Sequence, residues 1–140
     1  MSQQETAIAP ITATRVPDFR RLNVLPRYFG RHMMAVETAI FDVLGEMCEA
    51  YQGGHWEFYE LSNGAFFMAP SGSGSYRLSC AGNYFQGELS AEATGIVASL
   101  IGINRALWTF RTEQLNDRFY GLREFAIDHP EAAQIMAAID

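Results

Sequence analysis

Lysine is absent from this chain of 140 residues, so all ten of its basic side chains are arginines, and sixteen acids outnumber them. The net charge of -6 argues against a nucleic-acid-binding protein, because affinity for phosphates depends on clustered cations. The same charge is too small for a full mimic of DNA, since duplex DNA carries about one charge per 1.7 Å. We therefore expect neither tight binding to nucleic acid nor mimicry of it.

Cysteine is also scarce, and the histidines are scattered. Cys48 and Cys80 form no CxxC pair, so we expect two reduced, buried thiols rather than a disulfide. His32, His55 and His129 lie far apart in the sequence and show no metal-ligand spacing. The sequence predicts no metal, no cofactor and no catalytic residues.

Long apolar runs are missing as well. No run approaches the roughly 20 residues of a membrane helix, and the start of the chain lacks the basic and apolar blocks of a signal peptide. We therefore expect a cytoplasmic protein without membrane contact. The hydrophobic content of 49% and the aromatic content of 13% support a folded core. Residues 1–14 are polar and lack periodicity, which predicts a flexible tail before a single domain over residues 15–140.

What the chain does have is an aromatic hairpin over residues 55–70. Alternation places side chains on two faces of the first strand. One face carries Trp56, Phe58 and Glu60, and the other carries His55, Glu57, Tyr59 and Leu61. Asn63 and Gly64 suit a tight type I′ turn, and the second strand runs to Pro70. A second hairpin is predicted over residues 76–89, around Gly82 and Asn83, which gives a small antiparallel sheet of about four strands.

Helical spacing predicts about four helices around this sheet. The first is a short helix or turn within residues 17–30. The next covers residues 31–51 and ends at Gly53 and Gly54. Ser90 and Thr112 are suitable N-caps for two more. Residues 128–131, Asp-His-Pro-Glu, have the form of a capping box with Pro130 just inside the last helix. The predicted fold is a single two-layer α+β domain.

The polar face of the helix over residues 31–51 is acidic. Asp42, Glu46 and Glu49 stack on it at positions i, i+4 and i+7, with no basic residue among them. This acidic strip has two interpretations, which the sequence leaves open. It is either an ordinary solvated face or a surface that meets a basic partner.

Four spaced segments resemble the ArdB/KlcA family of antirestriction proteins, which plasmids and other mobile elements encode. They are PRYFG (26–30), YQGGHWEFYELSNG (51–64), GELSAEATGIVA (87–98) and HPEAA (129–133), and the resemblance runs on to AID (138–140). It covers roughly residues 12–140. The resemblance implies an inhibitor that protects incoming mobile-element DNA from type I restriction-modification systems. It implies no catalytic residues.

Partner contact is therefore the leading hypothesis for function, with subunits of a type I restriction enzyme or a host factor as partner. The hairpin aromatics exceed what one sheet face can bury, and Trp and Tyr often anchor interfaces. The simpler alternative is that helices cover one face while the N-terminal segment or a second subunit, in a homodimer, covers the other. The candidate partner-binding residues are Asp42, Glu46, Glu49, Trp56, Tyr59, Glu60, Asn63 and Asp140.

Two other classes of function compete with this hypothesis. A small enzyme, or an accessory protein of a mobile element, is one alternative. However, Glu57 and Glu60 lie on opposite faces of the predicted strand, and no nucleophile other than an arbitrary Cys80 stands near His55. A DNA-binding regulator would need a helix with clustered arginines, which residues 113–127 do not provide.

Overall fold

The structure, a computed structural model, describes residues 9–140, so part of the predicted tail, residues 1–8, lies outside the described residues. The described elements are, in chain order, β1 (Ala13–Arg15), α1 (Arg21–Phe29), α2 (Met33–Met47), β2 (Trp56–Leu61), β3 (Phe66–Pro70), β4 (Ser75–Cys80), β5 (Phe85–Ser90), α3 (Ala91–Phe110), α4 (Glu113–Ile127) and α5 (Ala132–Ile139). Short 3-10 turns at Asp18–Arg20 and Gly30–His32 flank α1. The predicted α+β class is confirmed.

The strands form two antiparallel sheets instead of the single sheet that the sequence predicts. One has the order β1-β2-β3, and the other contains β4 and β5. Both hairpins are present, but helix α3 occupies the free edge of β3. The Met68 amide donates to Ser99 Oγ at 3.2 Å, and the Ser99 hydroxyl donates to the Met68 carbonyl at 3.1 Å. Because this edge is already covered, β4 has no place to pair with β3.

The turn of the first hairpin is longer than predicted. The Leu61 amide bonds to the Ala65 carbonyl at 3.0 Å, so the loop contains three residues, Ser62, Asn63 and Gly64. Only Gly64 in this loop has a positive φ, of 88°. That arrangement is a three-residue loop with glycine in the left-handed position, and the type I′ prediction is wrong. Asn63 instead fastens the loop to α4, because its Nδ2 donates to the Gly121 carbonyl at 2.9 Å.

Aromatic side chains on both faces of the first sheet are covered within the chain. On one face, Phe66 stacks with Tyr28 at 5.3 Å and meets Phe29 and Phe58 edge-on. On the other face, Phe67 stacks with Tyr59 at 4.7 Å and with Phe125 of α4 at 5.8 Å. Helices α1 and α4 therefore cover the hairpin without the second subunit that one alternative invoked.

Helix α3 forms the centre of the core. Its predicted N-cap is confirmed, since Ser90 Oγ accepts from the Ala93 amide at 3.1 Å. With 20 residues and a mean hydropathy of 1.2 it is long and apolar enough for a membrane span, yet most of it is buried between α2, β3 and α4. Thr112 caps α4 as predicted, through the Leu115 amide at 3.1 Å.

Helix α2 is shorter than the predicted helix over residues 31–51. It ends at Met47, where the apolar repeat stops and Cys48 adopts an extended conformation. The chain then turns so that Tyr51 can accept a hydrogen bond from the Trp56 indole at 2.8 Å. Cys48 is buried, whereas Cys80 is partly exposed, and both are free thiols.

The predicted capping box before α5 is wrong. The helix begins at Ala132, so Pro130 precedes it, and no side chain caps its first turn. The Glu131 carboxylate instead accepts from the Ser90 amide at 2.9 Å and from the Ser90 hydroxyl. A carboxylate that could have capped its own helix therefore joins α5 to the start of α3.

At the N-terminal end, Ala13 and Thr14 lie in β1 although the sequence places them in the tail. Ala13 pairs with Leu61, and Arg15 pairs with Tyr59. The Thr12 amide also donates to Ser62 Oγ at 2.9 Å. Ordered pairing thus begins before residue 15, the predicted start of the domain.

Candidate interaction surface

Glu60, one of the candidate residues, holds the N-terminal segment against strand β2. Its carboxylate pairs with Arg20, accepts from the Tyr28 hydroxyl at 2.9 Å and lies 3.5 Å from the Arg27 guanidinium. These partners come from the 3-10 turn before α1 and from α1 itself. The Glu60 side chain is 17% exposed, so its first role is internal.

Glu57, also on the central strand β2, makes a second set of contacts. Its Oε1 lies 3.4 Å from Arg15 and 3.6 Å from Arg21, and its Oε2 lies 3.7 Å from His55. The Ser71 hydroxyl is 3.5 Å from Oε2. The carboxylate therefore stands between a hydroxyl and an imidazole, whereas activation of a serine needs the imidazole in the middle.

We call these side chains the arginine–glutamate cluster. It comprises Arg15, Arg20, Arg21, Arg27, Tyr28, Glu57 and Glu60. Partial burial alone would raise the pKa of Glu60, but hydrogen bonds from Arg20 and Tyr28 outweigh burial and hold that pKa below its ordinary value. Burial, together with the hydrogen bond to Glu60, raises the pKa of Tyr28. The Glu60 carboxylate is therefore ionised at neutral pH.

The other hairpin candidates differ in how much surface they present. Trp56 is 3% exposed and packs edge-on against Phe41 and Tyr51, so in this fold it cannot anchor a partner. Tyr59 is half-buried, and burial followed by the charges of Glu92 and Glu57 raises its pKa. Asn63 is exposed, but its amide is already bonded to α4.

In the acidic strip, the central residue has a partner that the sequence did not reveal. Both oxygens of Glu46 accept from Arg105 of α3, at 2.8 and 3.2 Å. The hydrogen bond from Arg105 holds the pKa of Glu46 below its ordinary value. Asp42 and Glu49 are exposed and make no ion pair within residues 9–140. Because α2 ends at Met47, Glu49 lies beyond the helix face on which the strip was predicted. Of the strip, only the carboxylates of Asp42 and Glu49 remain available to a partner.

The chain end lies beside the turn of the second hairpin. Asn83 Nδ2 donates to the carbonyls of Ala137 and Ala138, at 3.3 and 3.1 Å. Asp140, an exposed candidate, follows two residues later. Glu46 lines a groove with Gly82 at the same turn. The structure therefore places Asp140 and the acidic strip toward the β4–β5 turn, and Glu60 in the arginine–glutamate cluster.

Comparison with known proteins identifies the family of this chain. The family model described as antirestriction protein matches residues 49–140. The chain belongs to the antirestriction protein family. One KlcA protein of Escherichia coli is 47% identical over 139 residues, which cover 94% of this chain and 95% of the relative. A second KlcA of that species is 43% identical over 136 residues, with coverage of 94% and 96%.

A solved structure shares the fold as well as the sequence. It is described as showing that KlcA and ArdB have a novel fold and antirestriction activity against type I DNA restriction systems in vivo but not in vitro. It superposes with a TM-score of 0.86 at 44% identity and covers 98% of this chain and 100% of its own. The resemblance to the ArdB/KlcA family is confirmed.

Within this antirestriction fold, sequence reasoning missed a groove between the end of α3 and the start of α4. Trp108 is 67% exposed and Tyr120 is 54% exposed, and both line the groove. The Arg111 guanidinium lies 5.6 Å from the Trp108 ring. The N-cap at Ser90 predicted a helix in this region, but nothing in the sequence singled out Trp108.

Two long-range side-chain contacts were also not predicted from the sequence, one from α4 and one from the turn before α5. Arg118 of α4 donates to the backbone carbonyls of Tyr28 and Gly64, at 3.0 and 2.9 Å. His129 is 6% exposed, and its Nε2 lies 2.8 Å from Glu92. Its Nδ1 accepts from the Glu131 amide at 3.0 Å. Within residues 9–140, no three His, Cys, Asp or Glu side chains converge as metal ligands would.

Proposed function

We propose that this protein inhibits type I restriction-modification systems and so protects incoming mobile-element DNA. The observation that carries the proposal is the shared fold: the KlcA and ArdB structure, whose description names that activity, matches nearly the whole chain. The activity lies in binding and inhibition, and no chemistry on a substrate is part of it.

The inhibitor acts by contact with protein and not by imitation of DNA. Three acids that could contribute to a DNA-like array, Glu46, Glu57 and Glu60, are paired with arginines of the same chain. Paired carboxylates present a weaker field than the phosphates of a duplex. This pairing supports a contact mechanism, with a restriction subunit or a host factor as the partner.

A host factor gains support from the description of the solved relatives. Their activity is given as present in vivo but not in vitro. An inhibitor that needs a further component of the cell would behave in this way. The functional test of this protein therefore belongs in cells.

We expect the protein to restore plating of unmodified phage on a host that carries a type I system. The reason is the family-wide match in fold and sequence. Plating efficiency is measured with and without the protein, and a host that lacks the restriction genes is the control. Equal plating on the restricting host in both conditions would contradict the proposed function.

The acidic strip is the surface that we propose for a basic partner. The variant Asp42→Asn with Glu49→Gln removes its two unpaired charges and leaves the contact between Glu46 and Arg105 intact. We expect weaker antirestriction, because charge complementarity at an interface is lost. The melting temperature should stay unchanged, since both side chains are exposed and Glu49 lies beyond the end of α2.

A matched control changes the net charge equally on another helix. Glu113→Gln with Glu124→Gln removes two exposed carboxylates of α4. The control should protect phage as well as the parent does. Equal protection by the Asp42 and Glu49 variant and by the α4 control, at matched expression, would mean that the acidic strip is an ordinary solvated surface.

A further inference from the structure

The segment before and within α1 leaves large apolar side chains in solvent. Phe19 is 84% exposed and Leu22 is 92% exposed. Pro26 is also exposed and shares one face of α1 with Leu22, at positions i and i+4. Phe19 lies in the 3-10 turn immediately before this helix. We call Phe19, Leu22 and Pro26 the Phe19 patch.

Two exposed arginines of the arginine–glutamate cluster adjoin this patch: Arg27 follows Pro26 in α1, and Arg15 lies 4.0 Å from Asp18, the residue before Phe19. Arg27 is 65% exposed and Arg15 is 52% exposed. Arg27 is only loosely held, because Glu60, its partner at 3.5 Å, already pairs with Arg20 and accepts from the Tyr28 hydroxyl. Its guanidinium is therefore free to turn toward an external carboxylate.

The local charge is opposite in sign to that of the whole chain. The four arginines of the cluster outnumber the three acids that lie near them, which are Asp18, Glu57 and Glu60. The net charge of the whole protein, in contrast, is -6. An apolar surface with a cationic border complements a segment that carries apolar and acidic side chains. The groove at Trp108 has no excess of positive charge, because its charged lining residues are one arginine and one glutamate.

We propose that the Phe19 patch and Arg27 form the docking surface for an acidic, apolar segment of the partner protein. This inference rests on the proposed function and names the chemistry of its partner. A protein segment fits better than DNA, because Phe19 and Leu22 offer nothing to a phosphate backbone. Apolar anchors with a charged rim are the usual composition of a protein interface.

The first test is made in cells. Phe19→Ser with Leu22→Ser should lower antirestriction by about tenfold or more, as loss of a central anchor does. The melting temperature should not fall, because both side chains are already in solvent. Ile127→Ser is the matched control, since Ile127 is 49% exposed at the end of α4, away from both proposed surfaces. Full protection by the Phe19 and Leu22 variant would overturn the proposal.

The second test does not depend on restriction. The purified protein is titrated with a synthetic peptide of alternating Glu and Leu, and its amide resonances are followed by NMR. We expect shifts concentrated at residues 18–27, and none with a matched peptide of Lys and Leu. Arg27→Gln should weaken binding severalfold, whereas Arg27→Lys should retain much of it, since the charge is kept.

Other ligands of the Phe19 patch would give different results in these two tests. Shifts at residues 18–27 with duplex DNA or anionic vesicles, but not with the acidic peptide, would overturn the proposal. A dimer that the Phe19 and Leu22 variant dissociates in size-exclusion chromatography would also overturn it, in favour of a second copy. If the parent fails to protect phage, the proposed function falls, and the peptide titration still decides the docking surface.

Discussion

Replacing Gly95 by alanine is expected to destabilise the fold severely. A Cβ atom at this position would lie 2.3 Å from Ala69 Cβ, 2.4 Å from Ala69 Cα and 2.5 Å from the Met68 carbonyl oxygen. Two of these atoms belong to the backbone of β3, so the clash cannot be relieved by rotating a side chain. Either the strand or α3 must move, and the contact of Ser99 with Met68, one helical turn further along, moves with it.

The expected loss is about 3 kcal/mol or more of unfolding free energy, at the upper end of what overpacking costs. Alanine's better helix propensity, worth about 1 kcal/mol, cannot offset it. The control is Gly45→Ala in α2, where a Cβ would meet nothing within 4 Å. The control should gain about 0.5–1 kcal/mol. Denaturant unfolding measures both, and a Gly95 variant as stable as the parent would contradict the close packing of α3 on β3.

Sequence patterns predicted the elements of this fold better than their assembly. The hairpin strands and the Ser90 and Thr112 caps follow from contacts within a few residues, which alternation and capping preferences report directly. The division into two sheets follows from Ser99, 31 residues after Met68. A serine within an apolar helix carries no local sign that it will bond to a strand edge.

The predictions for the turn of the first hairpin and for the start of α5 are wrong for the same reason. Asn63 and Gly64 suit either a two-residue or a three-residue loop, and the pairing of Leu61 with Ala65 decides between them. Glu131 could cap its own helix or bond to Ser90, 41 residues earlier. In each case the local pattern allowed two partners, and a distant contact selected one.

The candidate surface was harder to predict than the fold. The sequence indicated that Glu46 and Glu60 are charged, but not that Arg105 and Arg20 neutralise them across 59 and 40 residues. The hairpin does carry aromatic side chains on both of its faces, but the chain's own helices bury Trp56 and Phe66. Phe19 and Leu22 lie in a segment that the sequence predicts only as a short helix or turn, and no local pattern indicates which of its apolar side chains the fold leaves exposed.

Glu60 is the second position at which a single substitution should have a large effect on stability, because its carboxylate pairs with Arg20 and Arg27. Glu60→Gln keeps the shape of the side chain and an acceptor for the Tyr28 hydroxyl, but Arg20 and Arg27 lose their anion. Hydrogen bonds to a charged group contribute about 1.5–3 kcal/mol. We expect a destabilisation in that range at neutral pH. Glu88→Gln, at an exposed glutamate of β5, is the control and should change stability by less than about 0.5 kcal/mol.

The pH dependence separates the charge of Glu60 from its packing. Because the pKa of Glu60 is lowered in the folded protein, its carboxylate stabilises the fold fully above the ordinary value of 4.5. That stabilisation is lost as the pH falls from this value through the folded pKa. The stability gap between parent and Glu60→Gln should therefore close in acid, which denaturant unfolding at a series of pH values measures. A gap that persists unchanged in acid would mean that Glu60 acts through its shape, and that the arginines around the Phe19 patch do not depend on its charge.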